Sequence, residues 1–154
     1  MLKRIMLIPL SAFLIILGSH MAFGTTLTLF SELNGRLVTT QGEPVPGAQI
    51  KRTWKWAWNS SEGEDTTTTD QDGRFRFDKV TGSSWTAGIL PHEPSVFQEI
   101  TTQGDDGPVT LWYARKSSYG DMSELEGRPF RLVCQLSKEP IEGALFYGTC
   151  VEEK

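Results

Sequence analysis

The stretch Thr69-Asp-Gln-Asp-Gly-Arg-Phe-Arg-Phe77 joins a turn signal to a short alternating strand. Asp and Gly at its centre supply the side-chain hydrogen bonds and the positive φ that a tight hairpin needs. Beyond the turn, Phe75 and Phe77 alternate with Arg74 and Arg76, so the phenylalanines are predicted to point inward and the arginines outward. The stretch therefore predicts a β-hairpin with one buried face.

The same pattern continues on both sides of this hairpin. Short β-branched or aromatic segments are interrupted by Gly, Pro, Asp and Asn about every 8 to 12 residues. This spacing predicts an all-β sandwich of about seven to nine strands, of the immunoglobulin-like or transthyretin-like kind. The predicted strands are residues 33–39, 48–58, 66–69, 74–77, 84–89, 96–102, 109–115, 129–136 and 144–151.

The first 24 residues have the three parts of a secretory signal. Lys3 and Arg4 precede a nearly uninterrupted apolar run over residues 5–17, and small residues surround Gly24. We expect a signal-peptide helix, Sec-type export with cleavage near Gly24, and a periplasmic or secreted single domain over residues 25–154. The alternative is an uncleaved anchor, because the segment approaches the roughly 20 residues that span a bilayer. Only in that case is membrane contact expected, through this segment.

The mature chain is predicted to be acidic. Removal of Lys3 and Arg4 leaves 13 basic residues against 19 acidic ones, which moves the formal charge from -4 to -6. Nucleic acid is bound by clustered Lys and Arg that replace counterions. We therefore expect no nucleic-acid partner.

Cys134 and Cys150 are the only cysteines, and an exported chain with one pair is expected to bridge them. A three-residue loop at 141–143, with Gly143 in the left-handed conformation, would place Cys134 directly opposite Cys150. A two-residue turn at 142–143 would put the two sulfurs on opposite faces. A disulfide therefore predicts the longer turn.

Three segments together are similar to a known domain: Gly35-Arg-Leu-Val38, Gly42-Glu-Pro-Val-Pro-Gly-Ala48 and the hairpin 69–77. They resemble the carboxypeptidase regulatory-like domain, which has a transthyretin-type, immunoglobulin-like sandwich fold. The remainder of the chain resembles a bacterial family of exported single-domain proteins of uncharacterised function. The resemblance implies a non-enzymatic accessory or binding role, and it supplies no ligand.

Residues for catalysis and metal binding are sparse. His92 is the one histidine after residue 24, whereas a 5-hydroxyisourate hydrolase of transthyretin type needs several histidines and a C-terminal Tyr-Arg-Gly-Ser. Asp70 and Asp72 fit turn chemistry better than a calcium loop. We therefore expect no enzyme activity, no cofactor and no metal site.

Aromatic residues are the best candidates for a binding surface. Trp54, Trp56 and Trp58 share one face of a predicted 11-residue strand, beside Arg52. They pack in the core in one interpretation. In the other, Trp56 and Trp58 pass beyond the rim of an unusually long strand and stack on a partner. With His92, a candidate pH-sensitive contact, the predicted binding residues are Arg52, Trp56 and Trp58.

Three functions are compatible with the sequence. The first is an exported non-enzymatic binding or structural module that recognises a protein or a cell-envelope glycan through one end of the sandwich. The second is a periplasmic immunity or inhibitor protein that neutralises a toxic enzyme, which an adjacent toxin gene would favour. The third is carboxylate-based glycan hydrolysis, which requires an acidic pair that faces one cleft at a suitable separation.

Overall fold

The computed structural model describes residues 25–153, which are mainly β-strand. Eleven strands, one short helix and a 3₁₀ turn occur within these residues. They are β1 Thr26–Phe30, β2 Leu33–Val38, β3 Gln49–Trp56, β4 Ser61–Thr68, β5 Arg74–Phe77, β6 Val80–Ser83, α1 Trp85–Ile89, β7 Val96–Gly104, β8 Gly107–Lys116, the 3₁₀ turn Ser123–Leu125, β9 Arg131–Gln135, β10 Tyr147–Gly148 and β11 Cys150–Glu152.

The strands form a sandwich of two sheets with an additional two-stranded ribbon. One sheet has the order β10-β8-β7-β3-β4, the other has the order β11-β9-β2-β5, and β1 pairs with β6. Neighbouring strands are antiparallel except β2 and β9, which run parallel. The predicted all-β sandwich is confirmed.

The predicted signal segment, residues 1–24, lies outside the described residues. Export and cleavage near Gly24 therefore stay predictions. Within residues 25–153, no helix has the length and apolar character needed to cross a bilayer.

The predicted hairpin is present and its physical basis is visible. Gly73 has a φ of 73°, and the Asp70 carboxylate accepts hydrogen bonds from the backbone N–H groups of Asp72 and Arg74 at 2.9 and 2.8 Å. The two phenylalanines of β5 are buried, whereas its two arginines are exposed. The hairpin places β5 at the edge of the four-stranded sheet, where its phenylalanines pack in the core between the two sheets. Buried Leu, Ile and Trp side chains from β2, β3, β7, β8 and β9 form the rest of this core.

The predicted strand at 84–89 is wrong, because these residues form the helix α1. Ser84 is its N-cap, and the Ser84 hydroxyl accepts a hydrogen bond from the backbone N–H of Ala87 at 3.1 Å. A serine that satisfies a free N–H at a helix start favours helix over strand locally. The strand of this region is β6, which ends at Ser83.

The predicted strand at 48–58 is too long. It ends at Trp56, and residues 57–60 form a turn in which Ser60 has a φ of 58°. The Asn59 side chain accepts a hydrogen bond from the backbone N–H of Ser61 at 3.0 Å, which fixes this turn. Trp58 therefore lies in the turn, outside β3.

The cysteine pairing is confirmed, but its hairpin differs from the prediction. Cys134 lies opposite Cys150 and the two are bonded, and Gly143 is left-handed with a φ of 76°. The predicted final strand 144–151 is split, since β10 joins the five-stranded sheet and β11 the four-stranded one. The disulfide therefore closes β9 onto β11 just where the chain passes between sheets.

Candidate binding surfaces

Arg52 lies in the core and not on the surface. Its side chain is 1% exposed, and Nε and Nη2 donate to the two carboxylate oxygens of Asp65 at 2.9 and 2.6 Å. Nη1 donates to the Asp78 carbonyl at 2.8 Å, and the guanidinium lies over the rings of Phe30 and Phe77. Every nitrogen thus faces protein, so Arg52 has a structural role and offers no exposed donor to a partner.

Trp56 is buried, so the prediction that it passes beyond the rim is wrong. It is 1% exposed, because Leu27 and Leu29 from β1 and Ala87 from α1 pack around it. The sequence did not predict β1 as a strand, and it is β1 that covers this end of the sheet. The core interpretation holds for Trp56, and Trp58 is half-buried.

Trp56, Trp58 and His92 nevertheless meet at one end of the sandwich, together with Tyr119; we call these four residues the end cluster. Trp56 Nε1 donates to the Tyr119 hydroxyl at 2.8 Å, and His92 Nε2 lies 2.9 Å from the same oxygen. The ring centroids of Trp58 and His92 are 4.2 Å apart. The loops that follow β3, α1 and β8 are therefore joined through side chains.

The hydrogen-bond partners of His92 indicate which tautomer its neutral ring adopts. Nδ1 lies 2.9 Å from the Leu90 carbonyl, which can only accept, so Nδ1 carries a hydrogen. Nε2 then accepts from the Tyr119 hydroxyl, whose oxygen accepts in turn from Trp56. This tautomer is inferred from the hydrogen-bond pattern. When the His92 ring is neutral, Trp56 donates to Tyr119, Tyr119 donates to His92, and His92 donates to the Leu90 carbonyl. Each of these three donors thus has an acceptor.

Tyr119→Phe is expected to destabilise the domain by about 1–2 kcal/mol, because it leaves the buried indole N–H of Trp56 without an acceptor. Urea unfolding followed by fluorescence would measure the loss. Tyr113→Phe is the matched control, since Tyr113 is exposed and has no such bond among the described residues. Equal effects of the two changes would contradict the role assigned to the end cluster.

A second surface is the outward side of the five-stranded sheet. The pairing register places one residue from each strand in a continuous row across it. In the order of the strands, this row is Tyr147, Tyr113, Glu99, Thr53 and Glu64. The adjacent row, from β8 to β4, is Arg115, Phe97, Lys55 and Glu62. We call these two rows the sheet face.

Aromatic side chains on the sheet face are exposed to solvent. The exposed fractions are 39% for Phe97, 44% for Tyr113 and 58% for Tyr147. A shallow cleft of about 500 Å³ lies over Thr53, Lys55, Phe97, Glu99 and Tyr113, among others, and a neighbouring depression adds Thr110 and Tyr147. The two depressions share Glu99 and Tyr113, and we call them together the groove.

The carboxylates of the groove differ in their partners. Glu64 forms an ion pair with Lys51 at 2.6 Å. Within residues 25–153, no side chain lies close enough to Glu99 or Glu62 for a hydrogen bond or an ion pair. Across the same residues, no group of three or more His, Cys, Asp or Glu side chains is placed to hold a metal ion. The groove thus offers free hydrogen-bond acceptors beside exposed rings.

The sequence did not identify the sheet face as a site. In the alternation of residues 109–115, Tyr113 shares parity with the buried Val109 and Leu111. The pairing of β7 with β8 shifts register between Ile100 and Thr101 and leaves Leu111 of β8 without a partner. Beyond Leu111, Trp112 therefore points inward and Tyr113 outward. A local shift of this kind reverses the faces of all later residues, and nothing in the sequence marks it.

A buried polar network lies beneath the β8 end of the sheet. Lys116 Nζ and Glu124 Oε1 are 2.9 Å apart, and both side chains are 1% exposed. The Glu124 carboxylate also accepts from the backbone N–H and hydroxyl of Ser31 and from Gln98 Nε2, at 3.0, 2.6 and 2.9 Å. The network ties the segment after β1 to β7, β8 and the 3₁₀ turn.

In this network, burial and ion pairing have opposite effects on the pKa values of the two charged residues. Burial would raise the pKa of Glu124, but the Lys116 ammonium and the hydrogen bonds from Ser31 and Gln98 outweigh it and hold that pKa below its ordinary value. Burial lowers the pKa of Lys116, and Glu124 opposes this only in part. The ion pair joins the end of β8 to the 3₁₀ turn, the two elements that border the loop that carries Tyr119.

The fold and these surfaces define a disulfide-bonded β-sandwich domain with an aromatic groove on one sheet. The chain belongs to the family described as Domain of unknown function (DUF6795), which matches residues 33–139. The match runs from β2 to β9, so it includes Glu99 and Tyr113 but not Tyr147. No curated protein and no solved structure matches the chain. The resemblance to the carboxypeptidase regulatory-like domain stays a prediction.

Proposed function

We propose that this chain is an exported, non-enzymatic binding module that holds a cell-envelope glycan on its sheet face. One observation carries the proposal: Phe97, Tyr113 and Tyr147 are exposed side by side, next to the unpaired carboxylate of Glu99. Scattered surface apolar residues are ordinary, but contiguous ones beside free polar groups mark binding sites.

The chemistry of the sheet face suits a sugar. The C–H-bearing faces of a pyranose ring are apolar and pack on aromatic rings, while its hydroxyl groups need polar partners at the edge. Tyr113 and Tyr147 supply the rings, Glu99 and Glu62 supply acceptors, and Lys55 supplies a donor. Acidic and basic residues are mixed on this face, which favours a ligand without strong net charge over a polyanion.

The size of the groove favours an extended ligand. The row from Tyr147 to Glu64 crosses all five strands, and four strand spacings of about 4.8 Å give a length of about 19 Å. Such a length accommodates several sugar units in line. The two tyrosines lie at one end of this row and the carboxylates at the centre and the other end.

The expected compartment is consistent with this ligand. The signal-like first 24 residues predict export, and the bridge between Cys134 and Cys150 is typical of an oxidising environment. Envelope glycans are accessible from that compartment. The resemblance to an accessory domain supports a binding role over a catalytic one.

The double change Tyr113→Ser and Tyr147→Ser is expected to weaken binding at least tenfold, since exposed aromatic anchors contribute more than about 1 kcal/mol each. Co-sedimentation of the exported chain with purified, insoluble envelope polysaccharide would measure it. Trp85→Ser is the matched control, because Trp85 is at least as exposed as either tyrosine but lies on α1, away from the sheet face. Wild type and control should bind alike.

Two outcomes would overturn parts of the proposal. Failure to bind glycan, together with tight capture of a toxic enzyme from the same cells, would favour the immunity or inhibitor function. If the wild-type chain shortened the polysaccharide, and the Glu99→Gln variant still bound it but no longer shortened it, the chain would be a hydrolase. The non-enzymatic part of the proposal would then be wrong.

A further inference from the structure

A compact apolar patch is exposed at the end of the sandwich that carries α1. Trp85, Ile89 and Leu90 are 63%, 66% and 49% exposed, and we call them the end patch. Trp85 and Ile89 are four residues apart in α1, so they share one face of the helix. Neither side chain is part of the buried core, and neither belongs to the sheet face.

The end patch belongs to a stretch of sequence without formal charge. Residues 80–92 contain no Asp, Glu, Lys or Arg, and neither do residues 5–31, although 22% of the whole chain is charged. The β1–β6 ribbon pairs residues 26–30 of the first stretch with residues 80–83 of the second, so that Thr26 lies opposite Ser83 and Leu27 opposite Gly82. Uncharged segments from two distant parts of the sequence therefore meet at this end of the domain.

The described chain also begins beside the end patch. The backbone N–H of Ser84 donates to the Thr25 carbonyl at 3.4 Å, and the Thr25 side chain occupies the space beside Gly88 in α1. The apolar run of residues 5–17 ends eight residues before Thr25, a distance of at most about 28 Å when fully extended. Any bilayer that holds this run is thus within reach of α1.

We propose that the end patch is a membrane-contact surface that rests on the bilayer interface while residues 1–24 are inserted. Tryptophan is favoured at the boundary between headgroups and hydrocarbon, and Ile89 and Leu90 would bury apolar area beside it. The absence of charge over residues 80–92 removes the desolvation cost that charged side chains would impose there. The inserted form is the chain before signal cleavage, or the anchored chain if cleavage does not occur.

Tryptophan fluorescence of the full chain in phosphatidylcholine vesicles tests this contact. Residues 1–24 contain no tryptophan, so quenching by lipids brominated near the headgroup reports only on the domain. We expect wild type to lose emission in brominated vesicles. Trp85→Phe should lose much less, because Trp85 is the exposed tryptophan at this end.

A second variant separates contact from insertion. Ile89→Glu with Leu90→Glu keeps Trp85 but adds charge to the patch, so quenching should fall while the chain still floats with the vesicles through residues 5–17. Equal quenching of wild type and Trp85→Phe, no quenching of wild type, or failure of the full chain to float would overturn the proposal. A dimer without quenching would assign the patch to a second copy and also overturn it.

Discussion

Glu124→Gln is expected to destabilise the domain by about 3–5 kcal/mol, the range for removing one partner of a buried ion pair. The Lys116 ammonium is 1% exposed and lies 2.9 Å from the Glu124 carboxylate, so the change leaves a buried charge without its counterion. Glutamine keeps an acceptor oxygen for the backbone N–H of Ser31 but replaces the oxygen that accepts from the Ser31 hydroxyl, so one hydrogen bond is lost together with the charge. Urea unfolding would measure the difference.

The control is the double change Lys116→Met and Glu124→Gln. It removes both charges, so it should recover most of the lost stability, because a neutral pair in the same space no longer carries a desolvation penalty. Equal losses in the single and double variants would show that hydrogen bonding, and not the unpaired ammonium, dominates the effect.

The ion pair of Lys116 and Glu124 also predicts how the stability of the domain depends on pH. The pKa of Glu124 is lower in the folded state than its ordinary value, so the unfolded chain binds this proton at a higher pH than the folded chain does. The stabilisation is therefore complete above the ordinary glutamate range, and it is lost as the pH falls below about 4.3 toward the folded-state pKa. The double variant should show a shallower loss of stability in acid.

Asp65→Ala is expected to cost about 3 kcal/mol, although Asp65 is the exposed member of its pair. Its side chain is 40% exposed, whereas that of Arg52 is 1% exposed. Removal of the carboxylate leaves a guanidinium enclosed between the Phe30 and Phe77 rings, with only the Asp78 carbonyl to accept its hydrogens. Thermal or urea unfolding would detect this loss.

Arg52→Met should cost only about 1 kcal/mol, because the remaining Asp65 carboxylate can be hydrated and a methionine fits among the rings. The more buried residue of the pair is thus predicted to be the cheaper one to replace. The reverse order would mean that the contacts of Arg52 with the Phe30 and Phe77 rings stabilise the core more than its ion pair does.

The elements that the sequence predicted are those whose causes are local. The hairpin around Asp70 and Gly73 follows from turn chemistry within five residues, and the alternation of Phe75 and Phe77 gives its buried side. The pairing of Cys134 with Cys150 was predicted from a register counted through one turn, although the chain between them does not form the regular hairpin that this count assumed. Only for the first hairpin does the physical cause lie within a few residues of its effect.

The elements that were missed depend on contacts between distant residues. Trp56 is buried because β1, which precedes it by about 25 residues, pairs with β6 and closes over it. Whether the aromatic residues of β3 reach the surface therefore depends on a strand that the sequence pattern did not predict. The helix α1 was missed for a different reason, since five residues are too few to show periodicity.

The candidate site was predictable only in part. Three of the residues chosen from the sequence, Trp56, Trp58 and His92, lie together, whereas Arg52 lies in the core. Tyr119, which joins the three, comes from a polar loop without a motif. The sheet face was not predicted, because the register shift at Leu111 of β8 reverses the side of Tyr113. A half-buried, unpaired carboxylate such as Glu99 is visible only once neighbouring strands are placed.

Binding of a sugar polymer to the sheet face is tested most directly by amide chemical shifts of the exported chain during titration with soluble envelope-glycan fragments. The account predicts that the largest shift changes lie in β7, β8 and β10, around Phe97, Tyr113 and Tyr147, and that they vanish in the Tyr113→Ser and Tyr147→Ser variant. Changes confined to the end cluster, or no changes at saturating fragment, would contradict it.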